Sequence, residues 1–401
     1  MTIRVLVTDE NDNPPQFNQS IYRVQIQEEL PENTTVLWVY ASDADSGPNA
    51  VVEYKIAPGN SLASAAFQVS PKAGRISTSV KLDRENTSLF TFKVRAENLA
   101  NRSLADEAFV IVTVQDINDN APVFIDPMTA SVYENVSTGF RVAVLSATDA
   151  DTQSNAQLRF SFAPGGNPDG VFNLDANNGS LTVQNNLNRE YRSQYVLQVT
   201  VGDSLHTVTS NFTVIVLDVN DNPPRFVSVS LSQTIKEKLP IGSEAMNVTA
   251  RDDDIGTNAV ILYSILPSLA SDVFTVDRQT GVLRLSKELL YKKPSPLGNE
   301  NLYNITVNAR NPYSPFFEAT VHVVVEVTDA NDHSPVFTPV LYSFFVIVNT
   351  RNGETIGRVE ATDEEDEGVN ARVRYEIISG NGSALSESRL NSAEPLPLII
   401  S

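Results

Sequence analysis

The stretch "DINDNAPVF" occupies residues 116–124, and the chain writes it four times. "DENDNPPQF" begins at Asp9, "DVNDNPPRF" at Asp218 and "DANDHSPVF" at Asp329, giving spacings of 107, 102 and 111 residues. A period near a hundred is too long for a solenoid repeat and matches a whole small domain. In each copy a proline follows the acidic residues (Pro14, Pro122, Pro223, Pro335) and an aromatic comes next (Phe17, Phe124, Phe226, Phe337). Proline fixes φ and ends the preceding strand's ladder, so the phrase lies on a linker and the aromatic opens the next core. The division expected is the end of one repeat at 1–13, repeats at 14–120, 121–222 and 223–333, and a truncated repeat at 334–401.

Between the phrases the sequence alternates with period two. "FTFKVRA" (90–96), "YVLQVTV" (195–201), "NFTVIVLDV" (211–219) and "TVHVVVEV" (320–327) are β-branched and aromatic on one face. Turn signals such as "NNGS" and "RQTG" separate them, and no amphipathic helix with caps stands out. Several short strands per hundred residues make each repeat a β-sandwich. Trp38, the only tryptophan, falls in a strand pattern and is expected in the core. The strand pattern stops from "ESRLNSAEPLPLIIS" onward, so a poorly ordered tail is expected after about residue 380.

The net charge is −20, with 49 acidic against 29 basic residues. That excludes a nucleic-acid partner, because neutralising phosphates takes lysine and arginine. It suits a protein that holds cations. There is no cysteine, hence no disulfide and no thiolate metal site. Ten Asn-x-Ser/Thr sequons lean toward a secreted glycoprotein. No apolar run reaches the roughly 18 residues that cross a bilayer, and no leader peptide precedes the first strand. The chain is expected to be an internal piece of something longer.

More acid recurs at fixed offsets. A glutamate stands fifteen residues before each "AxD": Glu28, Glu134, Glu237. Acidic turns follow, "DADSGPN" from Asp43, "DADTQSN" from Asp149 and "DDDIGTN" from Asp252. Eight residues after a turn glycine come "LDRE" (82–85), "LNRE" (187–190) and "LLYK" (289–292), and later Asn98, Asp203 and Asn311. Carboxylates crowded together repel unless a cation sits among them. Hard oxygen donors without histidine or cysteine select Ca²⁺, which takes six to eight oxygens in loose geometry; Mg²⁺ fits so many protein ligands less well.

These motifs together resemble the calcium-binding signature of cadherin repeats, over nearly the whole chain. The resemblance implies all-β, seven-stranded Greek-key sandwiches in tandem, with up to three Ca²⁺ at each junction. It implies an ectodomain on the extracellular face of the plasma membrane, anchored through a segment absent here. Its partners would be other cadherin ectodomains, homophilic or heterophilic, with no nucleic acid and no small-molecule substrate.

It also places ligands. At the 120/121 junction Glu28, Asp83, Glu85 and Asp119 resemble the ligands of a first ion. Glu28, Glu85, Asp119, Asp116, Asp151 and the Ile117 carbonyl resemble those of a second. The Asn118 side chain, the Asn120 carbonyl, Asp149, Asp151, the Asn155 carbonyl and Asp203 resemble those of a third. Three ions are expected there. The 222/223 junction offers Glu134, Glu190, Asp218, Val219, Asn220, Asp221, Asn222, Asp252, Asp254, Asn258 and Asn311. Asn188 and Asn311 replace carboxylates with amides, which keep an oxygen but lose a charge, so up to three ions bind more weakly. The 333/334 junction keeps Glu237, Asp329, Asn331 and Asp332, but Leu290 and Lys292 replace two carboxylates. Fewer ions are expected. Lys292 would either pair with Glu237 or Asp332, or be turned to solvent by the "PSPLGN" insertion with Glu300 compensating. In the last acidic turn Asp363, Glu364, Glu365 and Asp366 compete for two roles, and Val348 stands where the glutamate belongs. At the first phrase Asp9, Asn11, Asp12, Asn13, Asp43, Asp45 and Asn98 remain. His333 replaces the phrase's last asparagine, which the resemblance gives only a carbonyl role, so the change is expected to be mild.

Three rival readings remain. An enzyme is disfavoured because His206, His322 and His333 lie in different repeats, with no HExxH or GxSxG. An EF-hand is disfavoured because Pro14 and Pro15 interrupt the loop. A non-adhesive spacer, or a receptor or ligand segment of a signalling cadherin, is the remaining alternative.

Overall fold

The computed structural model describes residues 2–376 and 396–399, apart from 60, 228–230, 294–297, 314, 348–349, 352–353 and 364–367. It divides into two compact units, residues 1–217 and 218–401, described separately below.

The first unit holds two β-sandwiches. In the first, a four-stranded sheet runs in the order Ile21–Gln27, Ala105–Gln115, Leu89–Asn98, Val52–Ile56. Its first pair is parallel, with Ile21 opposite Phe109 and Gln27 opposite Gln115. Thr35–Trp38, Arg75–Thr78 and Phe67–Val69 form the facing three-stranded sheet. The core between them is apolar and aromatic, with Phe67 stacked on Phe92 and edge-on to Phe90. The second sandwich repeats this order: Thr129–Tyr133, Thr207–Leu217, Gln194–Gly202, Arg159–Phe162 against Arg141–Val144, Ser180–Val183, Phe172–Leu174. The period-two strands are where the alternation puts them. The one α-helix among the described residues is a single short stretch, Ser61–Ala66, which the sequence does not announce.

In the second unit the same seven strands recur: Ser232–Lys236, Glu318–Thr328, Leu302–Arg310, Leu262–Ile265 against Glu244–Asn247, Val282–Leu285, Phe274–Val276. Neighbours that are distant in sequence give the Greek-key connection in all three sandwiches. Among the described residues no helix is long and apolar enough to cross a membrane.

One expectation needs correcting. Trp38 is 59% exposed, not core. A bulge between Thr35 and Leu37 shifts the register, so Val36 and Val39 are buried and Trp38 is turned outward. An extra residue in one strand defeats a period-two reading. The tail expected to be poorly ordered after about residue 380 lies largely outside the described residues, which resume with Leu396–Ile399, a strand antiparallel to Thr355–Val359. Its register shift between Thr355 and Gly357 matches the shifts at 35/37, 141/143 and 244/246. The tail thus takes the place that Arg75–Thr78 takes in the first sandwich. Earlier in the truncated repeat, Tyr375 hydrogen-bonds Ala361 through both backbone groups, as Tyr54 does Ala41 and Tyr263 does Ala250.

Candidate functional site: the acidic linkers

The strand parallel to the sandwich's last strand ends at the recurrent glutamate. Its N–H continues the ladder: Glu28 to Gln115, Glu134 to Leu217, Glu237 to Thr328. The carboxylates are buried at 2%, 2% and 9% exposure. A buried charge needs partners, and backbone N–H groups supply them. Glu28 Oε2 accepts from Arg84 N (2.6 Å) and Oε1 from Ile117 N (2.9 Å). Glu134 accepts from Arg189 N (2.7 Å). Glu237 accepts from Tyr291 N (2.9 Å) and Ala330 N (3.2 Å). Each glutamate therefore ties its sandwich to the "LDRE"-type turn, and Glu28 and Glu237 also to the phrase.

The phrase is held to the sandwich after it by side-chain amides. Asn49, Asn155, Asn258 and Asn370 each donate Nδ2 to the first aspartate of the phrase, at 2.9 Å (Asp9), 2.7 Å (Asp116), 2.8 Å (Asp218) and 2.9 Å (Asp329). The phrase's last asparagine reaches both ways. Asn120 donates to Asp119 and Asp151 at 2.8 Å each, and Asn222 to Asp221 and Asp254 at 2.7 Å each. Asn13 bonds Asp12 and Asp45 in the same way. His333 keeps the first arm, with Nδ1 2.9 Å from Asp332 Oδ1. The residues that would supply the second arm lie within 364–367, outside the described set, and Asp366 is among them; Asp363 is described and follows the strand Ala361–Thr362. The sequence reading missed these side-chain roles because it gave Asn155 and Asn120 only their carbonyls. Recurrence was the available signal: Asn155 has a counterpart in all four copies and Asn120 in three.

At the 120/121 linker three acidic groups form a chain. Glu28, Asp83 and Glu85 converge, then Glu85, Asp116 and Asp151, then Asp149, Asp151 and Asp203; within each group one oxygen per residue lies within 4.8 Å of the others. Glu85 links the first two groups and Asp151 the last two. Burial, Glu28, Asp151 and Glu29 push the Asp119 pKa up, and burial does the same to Glu85, with Glu28 adding to it. Burial alone would raise Asp116 too, but Thr152 N, Asn155 and Arg84 bring it below its ordinary value. Arg84 is a cation the sequence reading left without a role. Its guanidinium pairs with Glu85 and Asp116 and donates to the Ala150 carbonyl at 2.8 Å. Beyond it Asn118 meets Ser204 (3.1 Å) and His206 (2.8 Å), so His206 lies beside this cluster.

The donor set fits a hard divalent cation. The clustered atoms are carboxylate oxygens, and Asp149 Oδ2 here and Asn11 Oδ1 at the first phrase are buried with no hydrogen-bond partner. In the second unit Asn311 turns its amide N–H groups to Asp252 (2.8 Å) and the Asn258 carbonyl (3.0 Å), leaving its buried Oδ1 likewise unpartnered. There burial raises the Asp254 pKa against the Asn222 bonds, with Asp252 and Asp218 adding to the rise.

The linker at 329–333 differs. Lys292 pairs with Glu300 at 2.6 Å, both side chains 64% exposed, and the buried Asn301 amide clamps the Lys292 backbone. Of the two alternatives left open for Lys292, the geometry favours the one facing solvent. A different lysine reaches the linker: Lys238, directly after the buried glutamate, pairs with Asp332. That pairing holds the Asp332 pKa below its ordinary value, opposite to Asp119 at the equivalent position.

The Cadherin domain family model matches residues 22–115, 128–220 and 231–328. Protocadherin Fat 4 of Mus musculus is 35% identical over 94% of this chain, and Protocadherin-23 of Homo sapiens 34% over 94%. The chain spans 8% and 11% of their lengths. Mouse Cadherin-23 EC22-24 superposes with a TM-score of 0.62 at 28% identity, covering 80% of this chain and all of that one. Three consecutive matches to one domain, on three sandwiches of one topology, leave a single assignment: the chain belongs to the cadherin superfamily, as a run of tandem cadherin repeats.

Proposed function

We propose that this chain is a stretch of a calcium-dependent cell–cell adhesion ectodomain whose linkers are stiffened by Ca²⁺. The observation that carries this reading is the chain of three acidic groups at the 120/121 linker, joined through Glu85 and Asp151. Cadherin repeats are adhesion-ectodomain modules and not enzymes. When bound, Ca²⁺ would supply the positive charge and the six to eight oxygen positions that such a cluster asks for.

The chain's own residues do the rest. Glu28 fixes the "LDRE" turn and the phrase against the first sandwich, and Asn155 and Asn120 fix the phrase against the second. Glu28, Asp83, Glu85, Asp116 and Asp119 would hold two ions, the second also reached by Asp151 of the following sandwich; Asn118, Asp149, Asp151 and Asp203 would hold a third. A cation that completes its shell only when both sandwiches contribute favours one relative orientation by linkage. Without it, Asp119 is left against Glu28 and Asp151, and Glu85 against Glu28, and the junction would loosen. The 222/223 linker would hold its ions less tightly, since two carboxylates are amides, and the 333/334 linker fewer. Extracellular calcium modules bind at about 10⁻⁴–10⁻³ M, which suits loading outside cells.

Small-angle scattering of the chain in calcium and in chelator tests the stiffening. A longer maximum dimension in calcium is expected, and an unchanged profile defeats the mechanism. Aggregation of coated beads, with and without calcium, separates adhesion from a spacer role.

A further inference from the structure

The sequence after each buried glutamate is variable where the backbone is not. Glu29, Asn135 and Lys238 all adopt left-handed φ, at 57°, 57° and 56°. Each donates its N–H to the leucine of the "LDRE"-type turn: Leu82 at 2.9 Å, Leu187 at 3.3 Å, Leu289 at 2.9 Å. One backbone frame therefore carries an anion, a neutral amide and a cation in three successive sandwiches. The turn beneath it changes as well. Leu290 and Lys292 stand where Asp83 and Glu85 stand in the first sandwich, so two of four carboxylates are gone. The two that remain, Glu237 and Asp332, are both engaged. Glu237 accepts two backbone N–H groups and Asp332 pairs with Lys238.

We infer that the Lys238 ammonium is the resident cation of the 329–333 linker, standing where the first linker would take its first Ca²⁺, so that this linker is tied without that ion. The inference rests on the calcium reading for the other linkers. The residues here do not fit the first ion: one anionic ligand is already neutralised by a covalently tethered charge, and a tethered amine cannot be diluted or chelated away. Lys292, the cation that the motif comparison singles out, is a bystander on the Glu300 side. The linker still carries Asp329, held by Asn370 at 2.9 Å, so the loss is confined to the end nearest Lys238.

Calcium counting by equilibrium dialysis on the full chain tests this. Leu290→Asp with Lys292→Glu restores the two missing carboxylates but leaves Lys238 in place, and no additional ion is expected. Adding Lys238→Asn, the residue found at 135, is expected to raise the count by one per chain. The inference is overturned if the double variant already binds the extra ion, or if the triple variant does not. Absence of calcium binding by the wild-type chain would instead overturn the reading for the other linkers. A second measurement, in chelator, judges Lys238 by itself. Limited proteolysis within the linker is expected to speed up severalfold in Lys238→Met and in Asp332→Asn, and no further when they are combined. Lys292→Met should cleave at the wild-type rate. Additive effects of Lys238 and Asp332, or a Lys292 effect as large, would refute the tether.

Discussion

Replacing Glu28 by glutamine removes one charge and almost no volume, and its consequences divide cleanly between two conditions. In chelator the carboxylate's work is to accept two backbone N–H groups, at 2.6 and 2.9 Å, in a site 2% exposed. The amide of glutamine can accept only one of them. The other loses a charge-assisted bond and stays buried, a cost of about 1–3 kcal/mol. For a sandwich of about a hundred residues each kcal/mol lowers the melting temperature by roughly 4–8 °C. In calcium a second loss is added. Two unit charges about 4 Å apart interact by roughly 4 kcal/mol at an effective dielectric constant near 20, and a divalent ion doubles that. Even if dehydration cancels two-thirds of it, about 3 kcal/mol is left, roughly a hundredfold in affinity. Calorimetry in both conditions measures the two effects. Trp38 assigns the first sandwich's transition, because it is the chain's only tryptophan. The calcium-induced rise in that transition should shrink or disappear in Glu28→Gln. If the variant melts lower in chelator but gains as much from calcium as the wild type, Glu28 is a brace and not a ligand.

Other outcomes follow from the same geometry. Gly179 has φ +67°, and a Cβ built there would lie 2.2 Å from the Leu145 carbonyl oxygen, so Gly179→Ala should destabilise the second sandwich by about 2 kcal/mol or more in urea titration. The Glu97 carboxylate is held below its ordinary pKa by Lys55 and also by Arg95. Its contribution is therefore present above the unfolded value of about 4.5 and is lost as pH falls through the lower folded one. Glu97→Gln should flatten the acid limb of the first sandwich's stability as pH falls below about 4.5. Asn155→Leu removes the amide bond to Asp116, and amide exchange at Thr152, whose N–H also bonds that carboxylate at 3.1 Å, should accelerate.

Much of this was legible because the physics repeats with the sequence. Period-two alternation and recurrent prolines located the sandwiches and the linkers, and recurrence of acid in one register located Glu28, Glu134 and Glu237 before any geometry was known. What escaped was whatever breaks a period or depends on backbone angle. Trp38 was misplaced by one extra residue in a strand. Lys238 was overlooked because its neighbours at the same position, Glu29 and Asn135, share no chemistry with it, only a left-handed φ. The strand Leu396–Ile399 lacks the turn glycine that announces its counterparts. Spacing was its one signal, since Leu396 lies as far beyond Val359 as Arg75 lies beyond Trp38.

The asparagine clasps have a mechanical meaning. Asp116 takes bonds from Thr152 N and Asn155, and Asn120 bonds Asp151 through both its backbone and its side chain. The preceding sandwich reaches the same phrase through the Glu28 carboxylate, which accepts from Ile117 N, with Arg84 adding an ion pair. The 116–120 phrase is thus a lever arm mounted on the sandwich that follows it. Under tension in low calcium, compliance should concentrate just before Asp116, and extension should begin there while the phrase itself stays folded.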